Sequence, residues 1–227
     1  CALPIYGTRR FRPMKPALRN LVLATALLPI LFASTGCTSL IKTLVVLLHD
    51  PRLPAEYDLK GKRVAVITTC DGISTEDASA LVMQNQFKMF LKKELNSKID
   101  FINQQEVNRA FNDQPRERVN YAELANQIEA EHVVVIDIKN LKLKQGKTLY
   151  QGNCDCSVAV FVPEEGKKAV FTKDLGNFIH PSGGKPSTEC TEAEFQRHYL
   201  GLLARQAARL FYKWDPSEDT ALDAVAI

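Results

Sequence analysis

Three short, largely apolar segments constrain this chain more than any other feature of its sequence. Arg63 to Thr69, Ile99 to Ile102 and Val133 to Ile138 are too short for buried helices, and Gly61 and Asp71-Gly72 bound the first of them, so each reads as a buried strand. The segments between them carry helix signals. Ser74 and Asp77 make a variant capping box ahead of Ala80, Met83, Phe87, Phe90 and Leu91, which fall on one helical face. Asn103 precedes Glu106 by three residues, and Asn120 precedes Glu123 by three, the spacing at which side chains satisfy the orphaned backbone donors of a helix start. Strand, helix, strand, helices, strand is the order of parallel strands joined by crossovers.

The pattern changes in the second half. Thr148 to Val162 and Lys168 to Asn177 are strand-like runs joined by a turn at Pro163 to Lys167, and Gly152-Asn153 is expected to bulge the first of them. His180 to Ser187, with Pro181, Gly183, Gly184 and Pro186, predicts an irregular loop. Thr191 and Glu194 form another capping box for a last helix running to about Lys213, whose apolar face holds Tyr199, Leu202, Leu203, Ala207, Leu210 and Trp214. The expected fold is α/β: a single-domain sandwich over residues 57–214 with a mixed, largely parallel sheet, a C-terminal hairpin, and helices packed on the sheet. Residues 215–227 read as a loose tail.

The amino-terminal part is of another kind. Lys15 and Arg19 precede a thirteen-residue apolar run, Leu21 to Ala33, a length that suits an export signal and falls short of the roughly 20 residues a spanning helix needs. Ala33-Ser34-Thr35-Gly36-Cys37 resembles the lipobox of bacterial lipoproteins, with Ser34 standing where that family usually has leucine. The resemblance implies cleavage before Cys37 and acylation of its thiol. Residues 1–36 are therefore expected to be a signal segment, with Met14 as the start, and residues 37–56 an anchor, a membrane-proximal apolar helix over Leu40 to Leu48, and a linker marked by Pro51 and Pro54.

Setting the signal aside changes the charge. The whole chain is +3, but its first 36 residues hold five basic residues and no acidic one, which leaves the body near −2. A mildly acidic body without a basic stripe excludes nucleic acid as a partner class. Thr38 follows Cys37 where aspartate would favour inner-membrane retention, so the expected place is the periplasmic face of the outer membrane, with the membrane engaged through lipidated Cys37.

"GKRVAVI" at the start of the body, "YAELANQIEAEHVVVIDI" and "LYQGNCDCSVAVFV" together resemble envelope proteins of the TolB amino-terminal, CsgG and penicillin-binding-protein-activator type, over residues 60–212. The resemblance implies an α/β sandwich used as a docking module rather than a catalyst, with another envelope protein as partner. CsgG-like channels need two long amphipathic hairpins per subunit. Only one is present here, so a pore is set aside and an accessory subunit of an oligomeric secretion or transport assembly stands as the alternative.

Residues with chemical capacity are sparse. Four cysteines remain after Cys37: Cys70, Cys154, Cys156 and Cys190, an even number that permits disulfides in an exported protein. Cys154 and Cys156 share one face of a strand, so pairing with Cys70 and Cys190 is favoured over pairing with each other. Their C-x-C spacing does not suit a zinc site. His49, His132, His180 and His198 are scattered, G-x-S-x-G is absent, and Ser182 to Ser187 lacks the spacing of a phosphate loop. No cofactor is implied. A hydrolase would require Asp71, Asp137 and His180 in one pocket. Any crevice beyond the parallel strands would lie near Asp71, Gly72 and Asn103, with Asp137 inside its own strand.

Overall fold

The computed structural model describes residues 52–71, 77–115 and 119–217. The signal segment, Cys37, the Leu40 to Leu48 run, Gly72, Ser74 and the tail beyond Ser217 lie outside the described residues. Five strands form one sheet: β1 (Arg63–Cys70), β2 (Asp100–Phe101), β3 (His132–Gln145), β4 (Leu149–Phe161) and β5 (Phe171–Pro186). Four helices pack on it: α1 (Ala78–Glu94), α2 (Gln104–Asn112), α3 (Tyr121–Gln127) and α4 (Glu192–Ala208). The strand order is β2-β1-β3-β4-β5; β1 runs parallel to β2 and β3, and β4 runs antiparallel to β3 and β5.

The α/β class, the mixed sheet and the hairpin are as the sequence predicts, with a different balance. The two antiparallel pairings are much the longer, because β3, β4 and β5 all outrun the buried part of the sheet. β3 does not stop at Ile138. It continues to Gln145 as an arm whose residues past Ile138 are half-buried or exposed; Leu141 and Leu143, alternating with lysines and packed against the core, are its short apolar trace, and pairing with β4 holds it extended. The predicted loop at His180 to Ser187 is likewise strand: β5 reaches Pro186, with Tyr150 opposite Lys185 and Leu149 opposite Pro186. A register shift between Tyr150 and Gly152, and a left-handed Gly184 (φ +73°), absorb the residues that read as loop signals.

The first face of the sheet is fully covered. α1 and α4 lie on Val64, Val66, Val134, Ile136, Val158 and Val160, contributing Met83, Phe87, Leu91, Tyr199, Leu200 and Leu203 to the larger core. On the second face, α2 and α3 cover only Ala65, Ile67, Val133 and Val135, with Val107, Phe111 and Leu124 between. The helix starts follow the caps. Asn103 accepts from Gln105 N, Asn120 from Glu123 N, and Thr191 with Glu194 makes the complete reciprocal box. The cap of α1 is Asp77, whose carboxylate accepts from Ser79 N and Ala80 N. The last helix ends at Ala208 in a 3-10 turn, Arg209–Phe211, rather than continuing to Lys213. Leu53 pairs with Trp214 across a two-way backbone bridge, which ties the first described residues to the last described ones.

Candidate functional site: an open polar face of the sheet

Beyond α2 and α3 the second face of the sheet carries no helix among the described residues. Side chains there stand in rows set by the register: Thr69, Asp137, Ser157 and Asp174 in one, Lys139, Asp155 and Asn177 in the next. β4 alternates strictly, buried toward α4 and half-buried toward this face, which places Asn153, Asp155 and Ser157 side by side. Asn177 and Ile179 of β5 are exposed there, Ile179 to 48%.

The polar groups hold one another in place. Asp155 accepts from Asn140 Nδ2 at 2.9 Å and Asn177 Nδ2 at 3.0 Å, and Asn177 Nδ2 also donates to Asn153 Oδ1 at 2.8 Å. The Asn177 and Asn140 amides hold the Asp155 carboxyl below the usual carboxylate range, so it is ionised at neutral pH. Asn140 sits in the left-handed region (φ +56°) at the bulge where β3 leaves the core, and its backbone N–H donates to Asp71, itself at φ +51°. Asparagine and aspartate tolerate that conformation better than most residues. Asp137 accepts from Thr69 Oγ1 at 2.8 Å and pairs with Lys139 at 3.1 Å. Burial first, and Asp137 second, push the Tyr121 hydroxyl up. Chemically this is a preset array of carboxylates, amides and hydroxyls suited to hydrogen bonding and charge recognition.

The residues a hydrolase would need are not brought together. Asp71 follows the end of β1 and Asp137 lies inside β3, whereas His180, opposite Gly152, projects toward the α1–α4 face. Asn103 serves as a helix cap. His132 is buried with its ring edge-on to Tyr57. Ser182 to Pro186 belongs to the β5 arm, with Ser187 directly after it, and Gln151 Nε2 donates to the carbonyls of Pro181 and Ser182. Among the described residues, no three of histidine, cysteine, aspartate or glutamate converge as a metal site. Asn140, Asn153, Asp155 and Asn177 escaped the sequence reading. The signal for Asn153 and Asp155 is present in "QGNCDCS", where every second residue of a strand is polar.

Cys70, Cys154 and Cys156 lie buried on the first face, and Cys190 is partly exposed just before α4; none is bridged to another. Ile138 of β3 stands between Cys70 and Cys156 in the register, so these two are two strand spacings apart, about 9.5 Å. A disulfide spans at most about 6.8 Å between Cα atoms. Burial, followed by Asp71 and Asp77, pushes the Cys70 thiol up to about 12, and burial raises Cys154 and Cys156 as well. The Tyr199 hydroxyl donates to the Phe178 carbonyl at 2.7 Å and lies 3.2 Å from Cys154 Sγ. Its single proton serves the carbonyl, and the thiol can donate to the phenolic oxygen.

A cleft of about 390 Å³ opens elsewhere, between Leu53, Leu175, Leu210 and Trp214. Arg209 lies over the Trp214 ring at 4.0 Å, and Lys173 closes one side on Glu56 at 2.8 Å.

No protein-family model matches the chain, and no curated protein matches its sequence. Several solved structures are similar to it. The PelC dodecamer from Paraburkholderia phytofirmans is 10% identical, over 70% of this chain and 93% of that one, with a TM-score of 0.42. Lipoprotein GNA1162 from Neisseria meningitidis is 9% identical, over 64% and 98%, with a TM-score of 0.42. The LpoB C-terminal domain from Escherichia coli is 11% identical, over 53% and 84%, with a TM-score of 0.35.

Proposed function

We propose that this chain is a lipid-anchored protein of the bacterial cell envelope, tethered through Cys37 at the periplasmic face of the outer membrane, and that its α/β domain is a non-enzymatic binding or assembly module for another envelope protein. The Ala33 to Cys37 segment carries the reading, because small residues ahead of a cysteine behind a short apolar run are what lipoprotein processing requires. One acyl chain holds a protein only marginally, whereas two or more hold it stably. The open polar face supports the second half. Its groups are prearranged by hydrogen bonds among themselves, so a partner meets them without first having to order them.

Two measurements test this. Cys37→Ser is expected to move the protein from the membrane to the soluble fraction, and continued sedimentation with membranes would count against the tether. A photo-crosslinking residue placed at Ser157 or Thr172, on the open face, is expected to capture an envelope protein in intact cells. Capture from Met89 on α1, with none from the sheet, would place the docking surface elsewhere.

A further inference from the structure

We propose that His180 and His198 form a two-histidine site for a divalent transition metal at the seam between β5 and α4. Their ring centroids lie 6.0 Å apart with the planes at 49°. A ligating imidazole nitrogen sits about 2.0–2.1 Å from zinc and roughly 1.2 Å from its own ring centre, so two imidazoles on one ion have centroids at most about 6.4 Å apart. The observed separation lies inside that limit. Closing it to about 5.2 Å gives the tetrahedral angle, a movement available to an exposed side chain on a helix.

The two ligands differ in freedom. His180 is held through its ring and through the chain that follows it. Phe178 stacks on it at 6.4 Å and 9°, the Phe178 ring packs on Tyr199 at 5.5 Å, and Gln151 grips the two carbonyls that follow His180. His198 is exposed and directly precedes the wholly buried Tyr199, so its backbone is fixed while its ring can turn. One rigid and one adjustable imidazole can close on an ion without moving the fold. Neutral imidazole is the commonest protein ligand for such metals. With two protein ligands, water fills the remaining positions, which makes the ion exchangeable rather than structural. The pair lies on the α4 side of the sheet, away from the open polar face, and stands independently of the docking role.

The test uses the mature lipoprotein extracted in detergent, without a polyhistidine tag. Calorimetric titration with Zn²⁺ near pH 7.5 is expected to show saturable binding. His198→Ala, on an exposed position that leaves the core intact, should weaken it at least tenfold; His180→Ala should do the same, and His49→Ala should leave it unchanged. Bound Cu²⁺ should show a paramagnetic-resonance pattern from two imidazole nitrogens. No saturable binding, an unchanged affinity in His198→Ala, or a one-nitrogen copper spectrum would each overturn the site.

Discussion

Gly152 lies directly beneath the ring of Tyr199: a β-carbon added at Gly152 would stand 2.0 Å from Tyr199 Cδ2 and 2.2 Å from Cε2. Tyr199 is fully buried, and its hydroxyl is fixed on the Phe178 carbonyl, so the ring has nowhere to go. Glycine is required here for space. Gly152→Ala is expected to lower stability by about 1–3 kcal/mol through overpacking, measured as an earlier urea midpoint. Gly201 makes the contrast. It sits inside α4 with open space where a β-carbon would be, so Gly201→Ala should raise stability by about 0.5–1 kcal/mol. Equal midpoints for the two variants would contradict both statements.

Tyr199→Phe tests the hydroxyl itself. The ring and its aromatic contacts stay, while the Phe178 carbonyl loses its donor and Cys154 loses its polar neighbour. The expected cost is about 1–2 kcal/mol, read from the same urea titration. A variant as stable as the parent would mean that water replaces the hydroxyl without loss.

The buried half of this molecule could be read from the sequence, because there one interaction dominates. Val64 to Ile67 and Val133 to Ile136 are continuous apolar runs since helices cover both faces of β1 and the first part of β3. The caps at Asn103, Asn120 and Thr191 were equally plain, since a cap is a local hydrogen bond that needs no tertiary information. The arms were not. Lys139 to Gln145 and His180 to Pro186 are strands because each pairs with β4; the first shows only the short Leu141 and Leu143 alternation, and the second carries the prolines and glycines of a loop. The polar face was missed for a related reason. Asp155 and Asn177 are 22 residues apart in sequence and meet only through the β4–β5 register.

The cysteines divide by burial. A thiol reacts as thiolate, and Cys70, Cys154 and Cys156 are both enclosed and raised in pKa, with Cys70 near 12. In the folded protein at pH 8, iodoacetamide should modify Cys190 and spare these three, and all four should react in urea. Mass spectrometry of the intact protein counts the adducts. The register also keeps Cys70 and Cys156 too far apart to bridge without strand movement, and none of the four thiols is bridged to another, so electrophoretic mobility should be the same with and without reductant. Rapid addition of three or four adducts to the folded protein would contradict the packing described for β4.

Lys88 gives the stability its pH dependence in the alkaline range. Its ammonium lies partly buried between α1 and the β2–α2 connection, donating to Gln104 Oε1 and sitting 5.7 Å from the centre of the Phe101 ring. Burial, and then Lys92, lower its pKa from 10.5 to about 8. The folded value is thus below the unfolded one. Between about pH 8 and 10.5 the unfolded chain binds the extra proton, so this group makes folding more favourable as pH rises through that window, and it opposes folding below it. Lys88→Met keeps the aliphatic contact with Phe101 and removes the charge. Gln104 retains its bond to Asn108. The variant should be more stable than the parent at pH 7 by on the order of 2 kcal/mol, with the difference shrinking by pH 10. Urea unfolding of both proteins at the two pH values measures this directly, and the difference between them cancels the tyrosines and other lysines that titrate in the same range. A gap that widens with pH would show that the charged form is favoured at this site.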